Sequence, residues 1–95
     1  MATDRATPTV LIDNDRVRVT QWRFDPGAAT GWHKHEYDYV IVPMTTGTLT
    51  LVEPDGTRDS QLTVGEPYFR EAGVEHDVVN ANDHGFTFIE IEVRH

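Results

Sequence analysis

Cysteine is absent from the 95 residues. That excludes disulfides, thiolate metal sites and a cysteine nucleophile. Long apolar runs are missing too. No stretch approaches the about 18 residues of a membrane-spanning helix. The opening Met-Ala-Thr-Asp-Arg-Ala-Thr-Pro lacks the apolar core of a signal peptide, so a cytoplasmic protein is expected. Basic residues are scarce: eight Lys and Arg stand against sixteen Asp and Glu, for a formal charge of −8. Nucleic acid and anionic membranes attract clustered Lys and Arg, and no such cluster is present, so neither is expected as a partner. Also missing is any sustained 3.6-residue periodicity with caps, which argues against a substantial helix.

What the chain does have is short alternating segments separated by turn residues. Val10, Leu11 and Ile12 precede Asp13-Asn14-Asp15. Arg16 to Phe24 alternates, with Val17 and Val19 in one phase and Trp22 and Phe24 in the other, as a bulge or a strand serving two sheets would require. After Asp25-Pro26-Gly27, the stretch from Gly27 to Trp32 is small and irregular, and strand is expected from the histidines to about Val42. Thr48–Glu53 and Thr57–Val64 flank Pro54-Asp55-Gly56, the strongest hairpin signal. Tyr68–Arg70, His76–Asn80 and Phe86–Val93 complete the series. Eight or nine short strands predict an all-β sandwich or barrel. One domain is expected over 1–95, with residues 1–8 as a flexible N-terminus.

The last strand puts Phe86, Phe88, Glu90 and Glu92 on one face and Thr87, Ile89, Ile91 and Val93 on the other. An outer face that stays apolar in so acidic a protein predicts sheet packing between two subunits, hence a homodimer. A chain this short buries a limited core, and either a second subunit or a bound metal would supplement it.

The chemistry-bearing residues are histidines. His33 and His35 are two apart in an otherwise Tyr-, Val- and Ile-rich run. On a strand, residues two apart share a face, so both imidazoles could reach one metal ion. Imidazole suits zinc, copper, iron and nickel. His76 is the candidate third ligand.

The two stretches resemble the paired motifs of the cupin superfamily. The first, G-x5-H-x-H-x3,4-E-x6-G, is matched by Gly27, His33, His35 and Gly47. The second, G-x5-P-x-G-x2-H-x3-N, is matched by Gly65, Gly73, His76 and Asn80. The resemblance implies a single-domain cupin jelly-roll β-barrel with His33, His35 and His76 holding a divalent Fe, Zn, Ni or Cu ion. Two positions depart from the pattern. The glutamate position falls on Tyr39 or Val40, and counting back from Gly47 favours Val40; Glu71 replaces the proline of the second motif.

Three neutral imidazoles would leave the ion its full charge and open positions, which suits an anionic bidentate substrate. The set is similar to that of cupin-type thiol dioxygenases. The expected function is therefore a dioxygenase-like, non-haem metal-dependent enzyme acting on a small carboxylate-bearing metabolite. A non-catalytic small-molecule or metal-binding or sensing barrel is the alternative. Tyr39 is a candidate for bonding substrate or oxygen, Arg70 for neutralising an anionic substrate, and Glu90 for supporting a histidine. Tyr37 shares the histidine phase, whereas Glu36 and Asp38 would be solvated on the opposite face. His84 and His95 are expected to be exposed. The W-H-K-H-E-Y-D-Y-V-I-V-P run and the closing F-I-E-I-E also resemble a narrower group of cupins connected with β-alanine degradation.

Overall fold

The computed structural model describes residues 4–94; His95 lies outside them. Nine strands follow in order: β1 Thr7–Asp13, β2 Val17–Phe24, β3 His33–Lys34, β4 Asp38–Pro43, β5 Gly47–Glu53, β6 Gly56–Leu62, β7 Tyr68–Arg70, β8 Glu75–Asn80 and β9 Phe86–Val93. They form two antiparallel sheets, ordered β1-β2-β9-β4-β7 and β3-β8-β5-β6. The all-β jelly roll expected from the sequence is what forms, although the sheets face one another without closing through hydrogen bonds into one barrel. Among the described residues there is no helix, hence none long and apolar enough to cross a membrane.

Alternation decides what lies between the sheets. The inward residues of β2, β9 and β4 include Phe24, Phe86, Phe88, Tyr39 and Ile41, and the facing sheet contributes Leu49, Leu51, Leu62 and Val78. Phe24 and Phe88 pack with ring centroids 5.4 Å apart. Each such side chain contributes roughly 1.5–3 kcal/mol by leaving water. β2 pairs with β9 without a register break, from Val17↔Val93 to Phe24↔Phe86. The phase change within it is therefore no bulge: Val17 and Val19 lie on the outer face, Trp22 and Phe24 on the inner. The irregularity falls in β1 instead, between Val10 and Ile12.

Two other expectations change. The run His33 to Val42 is two strands in different sheets, because the chain crosses from β3 to β4 around Glu36 and Tyr37. And residues Asp4 to Pro8 do not fray. Ala6 N–H donates to Ala29 C=O and Ala29 N–H to Asp4 C=O, each at 2.9 Å. The Arg5 guanidinium donates to Thr30 C=O, and Thr7 and Pro8 already belong to β1. Met1 to Thr3 lie outside the described residues.

The stretch Gly27 to Thr30 is likewise tied down. Gly27 N–H donates to Asn80 C=O, Asn80 N–H to Ala28 C=O and Thr30 N–H to Val78 C=O, at 2.9–3.0 Å. This segment lengthens the edge alongside β8 and leads directly into β3. Asn80, from the second motif, is buried. Its amide donates to the carbonyls of Asp25 and His84, and its oxygen accepts from Asn82. It is a structural clamp.

Candidate metal centre

Two backbone ties bring the motifs together. His33 and His76 are direct register partners across β3 and β8, so their side chains project from one face. Beyond the end of β3, His35 N–H donates to Val74 C=O and Gly73 N–H donates to His35 C=O, both at 2.8 Å. Gly73 sits at φ +102, a conformation that favours glycine. The chain can thus turn into β8 while meeting His35.

The result is a cluster of three ring nitrogens. His33 Nε2 is 3.0 Å from His35 Nε2, which is 3.1 Å from His76 Nε2. The rings stand nearly edge-on to one another, at 72–87°. Nitrogens about 2.1 Å from one ion and at right angles to each other stand about 3.0 Å apart, so both spacings fit neighbouring positions around one ion, and all three ligand atoms lie within 4.8 Å of one another. His35 and His76 are buried, and His33 is half-buried.

Proton placement supports the same reading. His33 Nδ1 lies 2.9 Å from Gly31 C=O, a bond only Nδ1–H can make, so the neutral ring presents a lone pair at Nε2. His35 Nε2 cannot satisfy both neighbours with a single hydrogen. Protonating the set is resisted: burial, then the positive field of the other histidines, lowers His35 to a pKa of about 3. Burial and the His33 charge lower His76 to about 4. Neutral His35 and His76 can each turn a lone pair at Nε2 toward the same point as His33, where a cation would replace the contested hydrogens. The donor set therefore fits a divalent metal.

The surroundings differ from ring to ring. His35 stacks on Tyr39, with centroids 3.8 Å apart and planes 17° from parallel. Glu90 Oε2 stands 3.8 Å from His35 Nδ1, too long for a direct hydrogen bond. Burial, with Glu92 nearby, raises the Glu90 carboxyl to about 7. The Trp22 indole N–H lies near enough to favour the anion, yet makes no hydrogen bond of ordinary geometry. His76 Nδ1 is buried without a partner among the described residues.

Tyr39 occupies the inner face and is 2% exposed, whereas Val40 lies between Ile91 and Phe69 in register on the outer face. Of the two candidate positions, Tyr39 therefore faces the histidines and Val40, favoured by counting from Gly47, faces away. Burial, then Tyr68, raises the Tyr39 phenol above its ordinary value, so it stays protonated. Arg70 pairs with Tyr39 and lies over the Tyr68 ring, 5.7 Å from its centroid; it does not line the cavity. Asp38 is not simply solvated, since its Oδ1 accepts from Ala72 N–H at 2.8 Å. His84 is exposed as expected.

The space beside the histidines, bounded by Trp22, Thr30, Tyr39, Tyr68 and Glu90, measures ≈ 20 Å³. That is room for one or two water-sized groups. A wider vestibule of ≈ 290 Å³ adjoins it, lined by Arg18, Trp22, Lys34, Glu36, Tyr37 and Glu92 as well as His33 and His35. Arg18, Trp22 and Thr30 were missed from sequence as site residues. The signal for the first two was present, because Arg18 shares the inward phase of Trp22 and Phe24.

A cupin-domain family profile matches residues 20–92. The chain belongs to the cupin family. This cupin is 54% identical over 90 residues, 95% of either chain, to the beta-alanine degradation protein BauB of Pseudomonas aeruginosa. It is 57% identical to a cupin domain of known structure from Bordetella pertussis Tohama I, with a TM-score of 0.98 over 100% of this chain and 99% of that one. The polyketide cyclase RemF of Streptomyces resistomycificus is 27% identical, with a TM-score of 0.77 over 98% of this cupin and 68% of RemF.

Proposed function

We propose that this cupin binds one divalent metal ion through the Nε2 atoms of His33, His35 and His76 and acts, in a dioxygenase-like reaction, on a small carboxylate-bearing metabolite. The observation that carries the reading is the convergence of three imidazole nitrogens, two of them on buried rings, with His35 Nε2 3.0 and 3.1 Å from its two neighbours. Iron, zinc, nickel and copper all suit the donor set, and the ion would supply a Lewis-acidic centre with open positions. The cavity of ≈ 20 Å³ would admit only the reacting end of a ligand, leaving its remainder in the vestibule. Tyr39, held protonated, can donate a hydrogen bond and keeps the His35 ring in place by stacking. Arg70 would add positive field from the β7 edge; that field already contributes to lowering His76. The 54% identity to a beta-alanine degradation protein supports a catabolic setting among short amino-acid-derived carboxylates. A cytoplasmic location and a homodimer belong to the same proposal, with no role for nucleic acid or membrane in so acidic a chain.

A second reading, a non-catalytic binding or sensing cupin, draws on the tightness of the inner cavity. Oxygen uptake separates the two. With ferrous iron supplied, the enzyme reading predicts oxygen consumption with at least one member of a panel of amino-acid-derived carboxylates, abolished in His33→Ala. Saturable binding across the panel without consumption would favour the binder.

A further inference from the structure

The arginine that faces the vestibule is Arg18. It lies on the inner side of β2, in a cross-strand row with Glu92 on β9 and Tyr39 on β4, the tyrosine stacked on His35. Other arginines with carboxylates in reach are paired: Arg58 with Glu53 and Arg94 with Asp13, each at 2.6 Å. Arg18 makes no hydrogen bond or ion pair among the described residues, although Glu92 is its register partner and the Arg18 charge acts on Glu90 from a distance. Its Nε is buried and unpartnered, a state that costs far more for a guanidinium N–H than for an exposed one.

We propose that Arg18 anchors the carboxylate of a small monocarboxylate ligand in the vestibule, its other end reaching toward the histidines. The Nε–H and one Nη–H of a guanidinium match two carboxylate oxygens side-on. Two strand spacings separate Arg18 from Tyr39 along the row, roughly 10 Å between backbones, and the arginine side chain spans much of it. Glu36 and Glu92 also border this space. They oppose a second negative charge, so a monoanion fits and a dianion does not. The proposal rests on the metal reading only for what faces the ligand's far end.

The test uses 3-hydroxypropionate and its uncharged amide as probes, on chelator-treated and on zinc-loaded protein, by titration calorimetry. In both forms the carboxylate is expected to bind at least about tenfold tighter than the amide, as losing one charge-assisted hydrogen bond implies, and Arg18→Gln abolishes the preference. Nitrogen-15 spectra give a readout independent of that variant's folding: the carboxylate should shift one arginine Nε–H resonance, the one missing in Arg18→Lys. Equal binding of acid and amide, an unchanged preference in folded Arg18→Gln, no saturable carboxylate binding, or a shift at another arginine overturns the assignment. If zinc does not bind but the Arg18-dependent preference persists, the metal reading falls and the anchor stands.

Discussion

His33, His35 and His76 are unequal members of one cluster. His33 is oriented by Gly31 C=O and His35 by its stack on Tyr39, whereas His76 depends on its strand alone. Removing a supporting hydrogen bond from a metal ligand typically weakens affinity 10–100-fold, so losing the ligand itself should exceed this. His76→Ala is expected to weaken zinc binding more than about 100-fold in competition with a chromophoric chelator. Tyr39→Phe keeps the stack and should change it less than about tenfold. Acid has a definite direction as well. His35 and His76, at about 3 and about 4 when folded against 6.5 ordinarily, take up protons on unfolding, so their contribution to stability is lost as pH falls below about 6.5. Glu90, raised from 4.5 to about 7, acts oppositely, and its contribution is lost as pH rises from 4.5 through 7. Two histidines outweigh one carboxyl. The chelator-treated protein should melt at a lower temperature at pH 5 than at pH 6.5; an unchanged or higher melting temperature would contradict the buried neutral rings.

The elements explain why those histidines were legible and their setting was not. H-x-H spacing with a matching second motif was enough to place three imidazoles together, because both motifs include the turns that deliver them. Continuous alternation from His33 to Val42 was misleading. The histidines stay in the four-stranded sheet while Tyr39 crosses into the other, and period two looks the same on either side of such a crossing. Tyr39 therefore faces inward as expected, but for a different reason. The phase of Arg70 was undecidable from three residues and is fixed only by the pairing Arg70↔Tyr39. Gly73 is where an element can be tested. A side chain there finds no steric obstacle but must adopt φ +102, a strain of about 1–3 kcal/mol. Gly73→Ala should lower stability by that amount in denaturant titrations and weaken metal binding with it, since Gly73 N–H holds His35 C=O.

At the scale of the whole molecule, the outer face of the five-stranded sheet carries an unbroken cross-strand row, Ile12, Val19, Ile91, Val40 and Phe69. Ile12 is 50% and Phe69 57% exposed. This is the apolar surface that the sequence of β9 announced, extended by register across all five strands. An isologous contact between two copies would cover it. Ile91→Glu should shift the molar mass in light scattering from dimer to monomer without unfolding the chain; a wild-type monomer at all concentrations would refute the dimer. The central claim concerns the inside of the molecule and has a more direct test. X-ray absorption on protein loaded with zinc should show one equivalent of metal with three imidazole nitrogens at about 2.1 Å, falling to two in His76→Ala. Sub-stoichiometric metal whose first shell is the same in His33→Ala and His76→Ala as in the wild type would contradict it.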